Sequence, residues 1–197
     1  MLKYAMPNLY IIAGCNGAGK TTASYTLLPQ ILNCREFVNA DSIAAGLSPF
    51  EPDGVAFEAG RIMLRRIRQL MNEREDFAFE TTLSTRSYVS LVREAQGKGY
   101  IITLVYFWLR SFEQAMERVR IRVSKGGHHI PTDVIKRRYD RGIDNLFHLY
   151  IPACDYWLVV DNSGKEPDMV AEGETNLPEV IYNTDIWDII KEQGRWP

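Results

Sequence analysis

"YIIAGCNGAGKTTAS", residues 10–24, is the stretch on which the fold turns. An apolar run from Tyr10 to Ala13 breaks into small residues and ends in Lys20-Thr21-Thr22. Gly14 to Thr21 fits the spacing G-x-x-x-x-G-K-[ST]. Glycines let a backbone wrap closely around a phosphate, so that successive N–H groups point inward as an anion nest. A helix beginning at Lys20 adds the positive end of its dipole. Lys20 suits the β- and γ-phosphates as a mobile point charge, and the Thr21 hydroxyl suits Mg²⁺. A plain glycine turn would also join strand to helix, but it would not need the Lys-Thr pair. We therefore expect Gly14, Asn16, Gly17, Ala18, Gly19, Lys20, Thr21 and Thr22 to hold a nucleoside triphosphate, ATP in preference to GTP, with Mg²⁺. Cys15, inside the loop, reads as a small filler or, more sharply, as a redox-sensitive thiol.

The rest of the chain fits that beginning. Its 197 residues suit one domain with a real core. A net charge of −2 argues against a general nucleic-acid binder. Three widely spaced cysteines indicate no disulfide framework and suit a reducing, cytoplasmic setting. The longest apolar segment, "IITLVYFWL" from Ile101, is about half of what a bilayer span needs, so no membrane is expected.

Strand-like runs at Leu9–Ala13, Glu36–Asn39, Phe77–Phe79, Ile101–Leu109 and Tyr156–Val160 alternate with amphipathic stretches. Helices are expected near Lys20–Leu28, Asp53–Glu75, Arg86–Lys98, Phe112–Ser124 and Thr132–Tyr150. Pro52 and Asp53 suit the start of the second, in which Ile62, Leu64, Ile67, Leu70 and Met71 recur at helical spacing. The tail reads as a hairpin, Met169–Gly173 with Glu179–Tyr182, and a short helix. The expected fold is α/β: a P-loop NTPase three-layer sandwich with a five-stranded, mostly parallel sheet, a helical lid and a small C-terminal hairpin. A single domain, 1–197, would carry the lid at about 118–141 and the hairpin and helix at about 165–193.

Ligands of such sheets bind beyond the carboxyl ends of the strands. Asp41 follows "EFVNA" and Glu80 follows "DFAF", so both carboxylates should emerge on the phosphate-loop rim. One could take the acceptor hydroxyl's proton, while the other holds Mg²⁺, its water or the acceptor. Asp41 could instead only cap the turn "DSIAAG", and Glu80 could be an ordinary Mg²⁺-water ligand. Arg118, Arg120, Arg122, Lys125, Lys136, Arg137, Arg138 and Arg141 supply eight of the 23 basic residues. Two basic helix ends around "VSKGGHHIP" describe a lid whose arginines could stabilise charge on a transferred phosphoryl group. A solvated basic face would account for part of this run. His128 and His129 are adjacent and lack partners at ligand spacing, so no metal site is read there.

"GCNGAGKTT", "NADSIA", "FETTLSTR" and "RVRIRVSKGGHHIP…IKRRYDRGIDNL" together resemble the zeta-toxin-like P-loop kinases, over about Leu9 to Gly164. More closely they resemble the bacterial branch often called predicted ABC-type ATPases. That label does not suit the residues: "SKGGHH" only echoes an LSGGQ signature, and "FAFETT" lacks consecutive Asp-Glu. Zeta toxins move the ATP γ-phosphate to a hydroxyl of UDP-N-acetylglucosamine. The resemblance implies nucleotide and Mg²⁺ roles for Lys20 and Thr21, an acceptor-hydroxyl role for Asp41, and acceptor binding by Glu80 and Thr82. It puts the lid arginines at Arg118 or Arg120 and at Arg137 or Arg138. Ser84 stands where the family's acceptor-contacting arginine falls, with Arg86 slightly later, so the acceptor is left open. Asn162 would line the adenine side. The implied function is an ATP- and Mg²⁺-dependent kinase acting on a hydroxyl-bearing small molecule such as a nucleotide sugar, with an antitoxin as a candidate partner. The alternatives are another metabolite, a polynucleotide 5′-hydroxyl, or a low-turnover nucleotide-binding regulatory or toxin–antitoxin component.

Overall fold

A computed structural model describes residues 6–127 and 129–194, so His128 lies outside the described residues. Five parallel strands, β1 (Asn8–Gly14), β2 (Glu36–Val38), β3 (Phe77–Thr81), β4 (Ile101–Trp108) and β5 (Tyr156–Asp161), form the body of one sheet. The hairpin β6 (Asp168–Glu174) and β7 (Val180–Ile181) continues that sheet antiparallel to β5, giving the order β2-β3-β1-β4-β5-β6-β7. The sheet therefore has seven strands rather than five, because the hairpin is part of it and not a separate appendage. β1 is buried at six consecutive positions, as expected of a strand covered on both faces.

The helices are α1 (Lys20–Thr26), α2 (Ala40–Leu47), α3 (Ala56–Glu73), α4 (Ser87–Gly97), α5 (Phe112–Ser124), α6 (Thr132–Asn145) and α7 (Thr184–Gln193). Wider, π-type turns prolong α1 through Leu27–Ile31 and α6 through Leu146–Tyr150. The expected helix from Asp53 begins as a tight turn, Pro52–Val55, before α3 proper. α2 was not foreseen: "DSIAAG" reads as a turn because it holds glycine and few large apolar residues. The structure winds it because the Asn39 side chain accepts a hydrogen bond from Ser42 N and caps it.

Register is what positions the site. Ile12 lies beside Glu80, Ala13 beside Thr81, and Gly14 beside Phe107. The loop after β1 thus leaves the sheet between the ends of β3 and β4, where the strand order reverses. Within the segment expected as a lid, α6 is packed against the body of the fold. Ile135, Tyr139, Gly142 and Ile143 are buried, and the Tyr139 hydroxyl donates to Leu109 O at 2.8 Å. The final helix locks this corner: Gln193 Oε1 accepts from Trp108 Nε1 at 2.9 Å and from Tyr139 Oη at 3.2 Å. No helix among the described residues is long and apolar enough to cross a membrane.

Candidate functional site

Residues 14–21 form the expected cradle. Gly14, Gly17 and Gly19 have φ of 140°, 80° and 80°, values that a side chain would strain. A Cβ on Gly17 would fall 2.8 Å from Ala115 O, and one on Gly19 would fall 2.6 Å from Asn162 Nδ2. The loop is clasped from the far side as well, because Asn162 Nδ2 donates to Ala18 O at 2.7 Å. Asn162 therefore braces the phosphate loop from behind. Arg118 Nη2 and Gln114 Nε2 donate to Ser163 O at 3.2 and 2.8 Å, tying α5 to the same segment.

Inside the rim a buried polar network has formed. Lys20, 6% exposed, folds back so that Nζ donates to Cys15 O at 3.0 Å and lies 3.5 Å from Glu80 Oε1. The other Glu80 oxygen, Oε2, accepts from Thr21 Oγ1 and from Asn39 Nδ2, both at 2.7 Å. One carboxylate thus gathers the loop lysine, the loop threonine and the cap of α2. A hydroxyl beside a carboxylate is a hard-oxygen pair, the donor chemistry that Mg²⁺ takes. The glycine cradle likewise fits phosphate.

A cavity of about 310 Å³ opens over this network, lined among others by Asn16, Lys20, Asp41, Glu80, Thr82 and Arg138. Asp41 lies in the first turn of α2, which the Asn39 cap aims at the loop. Arg138 reaches in from α6 and donates to Asn16 Oδ1 at 3.2 Å. Burial pulls its guanidinium below the usual arginine value, and the negative charge of Asp41 opposes that pull.

Other sequence candidates fall elsewhere. Arg120 forms a paired contact with Glu117 at 2.8 Å on an exposed part of α5, whereas Arg118 is the member of that pair beside the loop. Arg118 Cβ stands 3.2 Å from where a Gly17 Cβ would be. Arg137 and Arg86 line a second, larger cavity, and the exposed Thr22 lines neither. Cys15 is buried, and burial raises its thiol to about 11, which favours the filler reading over the redox one. Asn39 was missed; an asparagine two residues before Asp41, ahead of "IAA", was the available N-cap signal.

Fold and site together define an α/β protein of the P-loop NTPase type. Residues 9–145 match the family described as "AAA domain", and the chain belongs to that family. An uncharacterised protein of Haemophilus influenzae is 29% identical over 126 residues, 64% of this chain and 88% of that one. Among solved structures, the crystal structure of AvrRxo1-ORF1:AvrRxo1-ORF2 with sulphate ions superposes with a TM-score of 0.77 at 16% identity. It covers 94% of this chain but 64% of that one, so the chain spans a little under two thirds of its length. The same pair has been crystallised with ATP (TM-score 0.74, 17% identity). A structure from the PezAT chromosomal toxin–antitoxin system of Streptococcus pneumoniae gives 0.69 at 15% identity, covering 98% of this chain and 81% of that one. At such identities the likeness is one of fold.

Proposed function

We propose that the protein is an ATP- and Mg²⁺-dependent kinase that phosphorylates a hydroxyl of a small molecule. The observation that carries this reading is the convergence of Lys20, Asp41, Glu80 and Arg138 on one cavity above the glycine cradle. A nucleotide-binding switch needs the cradle and a metal ligand; it has no use for an extra carboxylate and a guanidinium facing across the phosphate end.

In this reading the backbone of residues 14–21 and Lys20 hold the triphosphate, with Asn162 keeping the loop closed behind it. Thr21 and Glu80 hold Mg²⁺, which when bound neutralises charge on the phosphate oxygens. Asp41 accepts the proton of the acceptor hydroxyl as its oxygen bonds to the γ-phosphorus and the bond to the β-phosphate oxygen breaks. Arg138 offsets charge on the transferring group. Thr82 and Glu80 orient the acceptor. A nucleotide sugar such as UDP-N-acetylglucosamine is the first acceptor to test, since the sequence blocks resemble the zeta-toxin-like kinases. An antitoxin-like partner belongs to the same proposal, supported by the two-protein naming of both solved relatives. The buried free cysteines fit a cytoplasmic setting.

The test is an acceptor screen with Mg²⁺-ATP read by mass spectrometry, run beside Lys20→Ala and Asp41→Asn. A phosphorylated product that vanishes in both variants is expected. ATP binding with no acceptor modified, and Asp41→Asn behaving as the parent, would turn the reading towards a regulatory nucleotide-binding protein.

A further inference from the structure

We infer that Asn145 is a positioning residue: it fixes the backbone of Leu83 and so sets where Thr82 and Ser84 stand in the cavity above the phosphate loop. This rests on the kinase reading, in which Thr82 meets the acceptor. Leu83 is the unusual point of the loop between β3 and α4. Its φ is 56°, in the left-handed region that a bulky side chain rarely enters, and its side chain is fully buried. Such a backbone persists only where its surroundings impose it. Side chains take both polar groups of Leu83. Its N–H donates to Thr81 Oγ1 at 3.1 Å, and its carbonyl accepts from Asn145 Nδ2 at 2.6 Å. With Leu83 turned inward, Thr82 and Ser84 on either side of it line the cavity that Lys20, Asp41 and Arg138 also line. Their hydroxyl oxygens lie 2.9 Å apart.

The hold on this loop comes from one stretch of chain. Arg138, Gly142 and Asn145 stand at i, i+4 and i+7 and share a face of α6. Arg138 reaches Asn16 of the phosphate loop, and Asn145 reaches Leu83 O. Between them Gly142 lies so close that a Cβ there would fall 2.6 Å from Thr82 O. In the π-type turn that follows, Tyr150 Oη donates to Thr85 O at 2.7 Å. The carbonyls of residues 82, 83 and 85 are thus each met by this segment. A buried asparagine that served only its own helix would bond to that helix's backbone or cap its end. Asn145, 3% exposed, instead spends its amide on a loop 62 positions away, at the one carbonyl whose residue is left-handed. One face of α6 therefore carries the arginine at the phosphate end and holds the loop at the acceptor end, which keeps the two in fixed relation.

The experiment uses Asn145→Leu, which keeps a branched side chain but has no donor. Tyr150→Phe, which removes the neighbouring donor and keeps the ring, serves if the first variant fails to fold. Hydrogen exchange is read by mass spectrometry in protein saturated with Mg²⁺ and the ATP analogue AMP-PNP. The peptide from Thr81 to Ser87 should exchange roughly tenfold faster in either variant, while the phosphate loop exchanges as in the parent. With the acceptor found by the mass-spectrometric screen, the acceptor's KM should rise roughly tenfold and the KM for ATP should stay at the parent's value. A purely structural asparagine would lower the thermal midpoint without separating the two KM values. Unchanged exchange of the loop overturns the inference, and so does a loosened loop with the parent's acceptor KM. A screen that yields no acceptor sinks the kinase reading instead, and the exchange data then still decide whether Asn145 holds the loop.

Discussion

Asn39 does two jobs with one buried amide, and substitutions at this position can separate them. Its Oδ1 accepts from Ser42 N at 3.1 Å and caps α2, while its Nδ2 donates to Glu80 at 2.7 Å. The cap is worth about 1 kcal/mol and a hydrogen bond to a charged group about 1.5–3 kcal/mol. Asn39→Ala loses both, so stability should fall by about 2.5–4 kcal/mol. Asn39→Ser retains a capping oxygen but offers no amide donor at the reach of Nδ2, so only the second part should go. Asn39→Asp also retains the cap, but it sets a second carboxylate against Glu80. Like charges raise a carboxyl's folded-state value. A raised value leaves the protein fully stable below the unfolded carboxyl range of about 4, with stability lost as pH rises through the folded value. Urea unfolding at pH 4.5 and 7.5 reads all three: Asn39→Asp should close most of its gap to the parent at the lower pH, whereas Asn39→Ala should not. If Asn39→Ser matches the parent and Asn39→Asp shows no such pH dependence, the bond to Glu80 contributes nothing and the network is incidental.

Lys20→Ala should weaken AMP-PNP binding by roughly 10- to 100-fold, the worth of one charge-assisted phosphate contact, in a fluorescence or calorimetric titration. All three cysteines are buried, and burial raises Cys15 and Cys34 to about 11. Ellman's reagent at pH 7.5 should therefore find no fast thiol in the native protein and three after denaturation. Raised thiols also set an alkaline limit: the unfolded chain ionises near pH 9 and the folded one near 11, so the urea midpoint should fall across that window. Gly142→Ala places a Cβ 2.6 Å from Thr82 O. Overpacking of about 1–3 kcal/mol, less about 1 kcal/mol of helix propensity, predicts a net loss of up to about 2 kcal/mol by urea unfolding.

The phosphate loop was legible because its chemistry is local. Eight consecutive residues specify a strand end, a cradle and a helix start, and no distant partner is needed to recognise them. Glu80 was legible for a related reason, since any residue just beyond an apolar β3 must emerge on the same rim as the loop after β1. α2 was not, because its helix rests on Asn39, whose cap is reinforced by Glu80, 41 positions away. No periodicity within "DSIAAG" carries that information. The hairpin was legible as an edge hairpin, but its two strands were not counted into the sheet. Its place there depends on antiparallel pairing with β5, where Gly173 lies opposite Trp157.

The arginines show most plainly where sequence reasoning ends. Arg118, Arg120, Arg137 and Arg138 are chemically alike, and spacing groups them by helix face without saying what each face meets. What each one meets in the folded chain separates them. Glu117 holds Arg120 on the outside, Ser163 draws Arg118 toward the loop, and burial of Ile135, Tyr139 and Ile143 fixes the rotation of α6. That rotation turns Arg138 to Asn16 and Arg137 into the neighbouring groove. The two adjacent arginines should therefore respond differently to substitution. Arg138→Lys, lacking the planar fork at a partly buried position, should lower kcat with little change in the acceptor's KM. Arg137→Lys should spare kcat. Equal effects of both on kcat would mean that α6 turns on binding and that the two cavities act as one.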